Sequence, residues 1–225
     1  MNKSTDSKCP TATLIGLAIA LLASPAFVFS YRLITGENHS DWQMVGRELG
    51  IFLFVGLLLW IVTTREALSL TSIGLHVDKL LRSLLRGLLF TALVLAATVG
   101  LYLLLQRFGI HLGEEHNSLF HPSLLVVTLV MLRAGVAEEI FYRGYAIERL
   151  QSLTGSTLLA GMVPLAMFAA AHYRQGMGGI IATFVLGGIF TAFYMKYRDL
   201  VANITAHFLG DFVLNVLLPL VSGGK

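Results

Sequence analysis

The chain has 225 residues, of which 56% are hydrophobic and 13% charged, with a mean hydropathy of +0.75 and a formal net charge of +3. A soluble domain carries roughly 25% charged residues, so the composition excludes an ordinary soluble protein and places the chain in a lipid bilayer. The net charge is too small to point to nucleic acid as a partner, and the single cysteine, Cys9, excludes an internal disulfide.

A membrane helix needs about 20 apolar residues. Apolar runs at 11–31, 47–63, 84–105, 123–150, 156–173, 178–196 and 200–220 predict seven crossings. The expected fold is all-α: a polytopic transmembrane helical bundle of about seven membrane helices plus an interfacial amphipathic helix. Lys3 and Lys8 precede the first run in the manner of a signal peptide, but that run exceeds the 7–15 residues of a signal core and reads as a retained helix. The link after the second run carries Arg65, Lys79, Arg82 and Arg86. Its segment 78–86 alternates charge and leucine at helical spacing, which predicts a helix lying on the membrane surface. The next link, 106–122, carries Glu114 and Glu115. Basic links face the cytoplasm, so the N-terminus is expected there and the C-terminus outside. Trp42 and Trp60 suit the interfacial belt. Residues 1–83 read as N-terminal membrane helices with a basic surface link, and 84–225 as a functional core in the same membrane domain.

Ionisable residues inside a membrane span cost about 2.5–3.5 kcal/mol each on insertion scales. They cluster here in the last four runs, and the first three hold almost nothing comparable. Glu138, Glu139 and Arg143 lie in Ala-Glu-Glu-Ile-Phe-Tyr-Arg-Gly-Tyr, His172 follows Phe168 by four, and His207 precedes Asp211 by four. On an α-helix Glu139 and Arg143 share a face and can pair, while Glu138 points about 100° away. Arg133 sits about 140° from Glu138, which directs it to another partner or to the interface. Two adjacent glutamates and two histidines exceed what one arginine needs, which weighs against a purely structural set of ion pairs. A proton relay in a transporter is an alternative, but a transporter built of repeats distributes polar residues over both halves. Hydrolysis fits better: a carboxylate can take a proton from water, and histidines can hold an oxyanion. No His-Glu-x-x-His zinc signature is present, nor a Gly-x-Ser-x-Gly elbow.

Glu138-Glu139-x-x-x-Arg143, Phe168-x-x-x-His172 and His207-x-x-x-Asp211, in this order, resemble the three motifs of the CAAX-processing and bacteriocin-processing (CPBP) family of intramembrane endopeptidases. That family includes the Ras-converting type of CAAX prenyl endopeptidase. The resemblance implies that Glu138 activates water, that His172 shares or orients it, that Glu139 pairs with Arg143, and that His207 and Asp211 face the oxyanion. The prenyl-protease members carry Asn at the position of Asp211, and an ionised Asp cannot donate a hydrogen bond. Asp211 is therefore expected to be protonated, to pair with His207, or to serve as a metal ligand. No cofactor is favoured. If zinc binds, Glu138, His172, His207 and Asp211 would hold it. The implied partner is a membrane-anchored peptide or protein substrate within the lipid bilayer of a bacterial inner membrane.

Overall fold

The computed structural model describes residues 10–36, 40–110 and 123–221. Cys9, Lys3, Lys8, Glu114 and Glu115 lie outside them. Every regular element among the described residues is helical, as a bilayer demands when it offers no water to backbone N–H and C=O groups. We number the rods α1 Pro10–Thr35, α2 Asp41–Arg65, α3 Leu80–Arg107, α4 124–154, α5 Thr157–Ala171, α6 Gly176–Tyr197 and α7 Leu200–Val221.

Local chemistry sets the ends of these rods. Ser40 and Gln43 form a reciprocal capping box at the start of α2. Ser156 accepts from the Leu159 amide to cap α5, and Asp199 accepts from the Ala202 amide at 3.1 Å to cap α7. Gly155, in the left-handed region at φ 68°, ends α4.

Among the described residues five helices are long and apolar enough to cross a membrane, which makes the chain an integral membrane protein. The count of seven crossings does not carry over to all seven rods on that criterion. Rod α5 has 15 residues, about 22 Å at 1.5 Å per residue, short of the roughly 30 Å hydrocarbon core. Rod α4 carries six charged side chains, from Arg133 to Arg149. Both are held within the bundle, and α4 touches α1, α2, α5, α6 and α7.

The surface helix expected at 78–86 is absent as a separate element. A short turn over Val77–Lys79 leads straight into α3, and nothing from Leu80 to Arg107 breaks the helix. Its basic residues are used in packing: Arg86 pairs with Asp199 at 2.6 Å, and Ser83 donates to the same carboxylate at 3.0 Å. Rods α3 and α7 lie against each other along much of their length. Gly87 allows it, since a Cβ there would meet Thr205 and the Ala202 carbonyl.

The middle of α4 departs from α geometry. From Ala134 to Ile147 it is π-helical, with i→i+5 hydrogen bonding, between α-helical flanks. Almost every side chain of that stretch is buried, so this wide turn runs through the centre of the bundle and carries the Glu-Glu pair.

The N-terminal half is not devoid of buried charge: within the second run, read as holding almost nothing comparable, Glu48 is fully buried, and the link after it adds a second buried acid. Glu66, at the end of α2, is fully buried. It accepts from Arg149 at 2.8 Å, Tyr145 at 2.8 Å and Thr13 at 2.9 Å. Hydropathy averages over a window, so a single carboxylate at a helix end goes unseen, although its partners lie far along the chain. Removing one partner of a buried pair costs about 3–5 kcal/mol. Glu66→Ala therefore lowers the thermal midpoint of the detergent-solubilised protein well below wild type, and Glu66→Gln, which keeps an acceptor, lowers it less. Unfolding followed by circular dichroism measures both.

Candidate active site

The polar residues of α4, α5 and α7 meet around one cavity of about 540 Å³. Glu138, Arg143, His172, His207 and Asp211 all line it, with Phe168, Arg133 and Asn215. Three separate segments of sequence thus reach one place. Rod α4 supplies the glutamates from its π-helical centre, α5 supplies His172 where the helix stops, and α7 supplies His207 and Asp211 one turn apart.

Glu139 is the most enclosed of the set, with no exposed surface. Its Oε1 accepts from Arg143 at 2.9 Å and stands 2.8 Å from His207 Nδ1, and its Oε2 accepts from Asn203 at 3.0 Å. An ionised carboxylate only accepts, so His207 carries its proton on Nδ1. Glu139 therefore pairs with Arg143 as the spacing implied, and also orients His207. Arg143 is held further by the Gly187 carbonyl at 3.2 Å and lies 4.3 Å over the Phe168 ring. A Cβ at Gly187 would stand 3.1 Å from the guanidinium, so a bare backbone lets Arg143 in.

With Nδ1 committed, His207 turns Nε2 to the other acids. It stands 3.5 Å from Asp211 Oδ2 and 3.9 Å from Glu138 Oε2. Of the three states open to Asp211, the structure favours pairing with His207. His172 ends α5, and its Nδ1 lies 2.8 Å from the Phe168 carbonyl oxygen. A carbonyl oxygen can only accept, so Nδ1 holds a proton, and in the neutral ring Nε2 is then the acceptor. The Phe168 ring packs against the His172 ring at 4.8 Å.

One expectation changes, and one residue was missed. Arg133 does not turn away from Glu138: its Nη1 donates to Glu138 Oε1 at 2.7 Å. The 140° separation assumed an α-helix, and the i→i+5 turn that starts at Arg133 brings residues five apart onto one side. Arg133 also pairs with Glu48 of α2, whose other oxygen is bound by Arg47. Asn203, fully buried, was missed because an amide in an apolar run carries no charge to flag it, although it precedes His207 by four on the same helix.

Among the described residues no three His, Cys, Asp or Glu side chains form a ligand group.

No curated protein and no solved structure gives a match to the chain. Residues 120–213, which hold all three motifs and the cavity's ionisable side chains, match the family described as Type II CAAX prenyl endopeptidase Rce1-like. Over that segment this integral membrane protein is similar to the CAAX prenyl endopeptidases of that family.

Proposed function

We propose that the protein is an intramembrane endopeptidase that hydrolyses a peptide bond in a membrane-associated peptide or protein, with water activated by Glu138. One observation carries the reading: Glu138, His172, His207 and Asp211 converge on a single cavity inside the bundle, with Glu138 Oε2 and His172 Nε2 left for a reacting group and His207 Nε2 beside Asp211.

In this mechanism a water sits between Glu138 Oε2 and His172 Nε2. It attacks the scissile carbonyl carbon as its proton passes to Glu138. The carbonyl oxygen becomes an oxyanion, which a protonated His207 meets through Nε2–H, with Asp211 supporting that charge. The C–N bond then breaks, and Glu138 returns the proton to the leaving amine. Glu139 touches no reacting atom: it holds His207 in one orientation and is itself neutralised by Arg143. No step passes through a metal.

The basic groups at the start of α3 and the end of α6 (Arg82, Arg86, Lys196 and Arg198) support an orientation with that end in the cytoplasm and the N-terminus on the same side of a bacterial inner membrane. A transporter is the alternative reading. It would use the same acids as a relay, without cleavage.

The purified protein in liposomes is expected to cleave members of a quenched-fluorescent peptide library. Glu138→Ala and His172→Ala each abolish the cleavage, and a chelator leaves the wild-type rate unchanged. A folded wild type inactive on a broad library would count against the peptidase reading, and loss of activity to the chelator alone would count against the metal-free mechanism. Glu139→Gln keeps the shape of the side chain but weakens its grip on His207 and Arg143. Its kcat is expected to fall by about 10²–10³, the range for losing one preorganised oxyanion donor, with little change in KM.

A further inference from the structure

Arg133 lies outside the motifs and has no part in the mechanism above, yet it is the cation nearest Glu138. It bridges two acids. Its Nη1 donates to Glu138 Oε1 at 2.7 Å, and its Nε pairs with Glu48, a fully buried residue of α2. Glu48 is in turn bound by Arg47 at 2.6 Å. The result is a four-membered chain of alternating charge, Arg47–Glu48–Arg133–Glu138, which runs from the second helix to the cavity. It ties down one oxygen of Glu138 and leaves the other, Oε2, facing His207 at 3.9 Å.

We infer that Arg133 is a positioning residue for Glu138, anchored by Glu48, and that through this pair the N-terminal helices set the geometry of the site. The inference rests on the reading of Glu138 as the base. A carboxylate free to rotate presents either oxygen in any direction, so an attacking water has no defined place. A guanidinium clamped from behind by Glu48 holds one oxygen and thereby aims the other. An arginine suits the task better than a lysine because its fork serves two carboxylates at once. Among the described residues Glu138 also interacts with Tyr142 from α4 and with His207 and Asp211 from α7, and His172 from α5 lines the same cavity. None of them grips Glu138 Oε1.

The test uses the full chain in liposomes, with Arg133→Ala, Arg133→Lys and Glu48→Gln. The first readout needs no activity. The apolar reagent dicyclohexylcarbodiimide couples to protonated carboxyls, and its attachment to Glu138 is followed by mass spectrometry. Arg133→Ala is expected to label Glu138 about tenfold faster than wild type, as follows when an opposite charge beside a carboxylate is removed. Arg133→Lys stays close to wild type, and Glu48→Gln lies between. The second readout is peptide cleavage. Arg133→Ala lowers kcat about 10–100-fold with KM within about twofold, and added ethylguanidinium restores part of the rate. Labelling of Glu138 at the wild-type rate in Arg133→Ala overturns the inference, as does a kcat equal to wild type. If wild type cleaves no peptide while the labelling follows the expected order, the endopeptidase reading fails and the positioning of Glu138 by Arg133 stands. A loss of cleavage that ethylguanidinium and lysine both fail to relieve, with labelling unchanged, assigns Arg133 a structural role only.

Discussion

A carboxylate with no access to water must find its hydrogen-bond donors in the protein, and Glu139 finds them on two helices. Arg143 comes from its own rod, α4, and Asn203 and His207 come from α7. Removing an ion from water costs several kcal/mol even after relaxation, and only good geometry with every lone pair used repays it. This one group therefore requires α4 and α7 to sit at a fixed rotation and depth. Arg143 extends the requirement to α6 through the Gly187 carbonyl, and to α5 through the ring of Phe168. Once Glu139 is satisfied, the cavity walls have little freedom.

The wide turn in the middle of α4 decides how the two adjacent glutamates divide. With i→i+5 bonding, Glu138 falls in line with Arg133 while Glu139 still meets Arg143 at i+4. The two neighbours then face different partners: one is sealed in the core, and the other keeps an oxygen toward the cavity. A π-helical stretch at a functional position is a recurrent device. Here it places two like charges side by side in sequence without leaving either one uncompensated.

Ion pairs built on buried carboxylates also join the parts of the bundle that hydropathy alone would leave loosely associated. Glu66 with Arg149 joins the end of α2 to α4, Glu148 with Arg198 joins α4 to the end of α6, and Asp199 with Arg86 joins the start of α7 to α3. Among the described residues these pairs sit at helix ends, away from the cavity residues. In a bilayer, where apolar helices gain little by exchanging lipid for one another, such pairs supply specific contacts between helices.

The all-helical membrane fold was legible in the sequence, because a bilayer tolerates few architectures and apolar runs of sufficient length reveal helices directly. The six ionisable residues of the three motifs were also legible, since isolated charge in an apolar run has a cost that only use or pairing explains. Two kinds of fact were not. The contact between Arg133 and Glu138 depends on a change of helical period, which an assumption of 3.6 residues per turn cannot anticipate. The contributions of Glu48, Glu66 and Asn203 depend on distant pairing: Glu48 meets Arg133 and Glu66 meets Arg149 only after α2 packs on α4, and an isolated charge at a helix end resembles solvated surface until its partner is known. Spacing within one helix follows from backbone geometry and is written in the sequence. Which side chain of another helix arrives opposite it is set by rotation and depth of packing, and only the tertiary structure decides that.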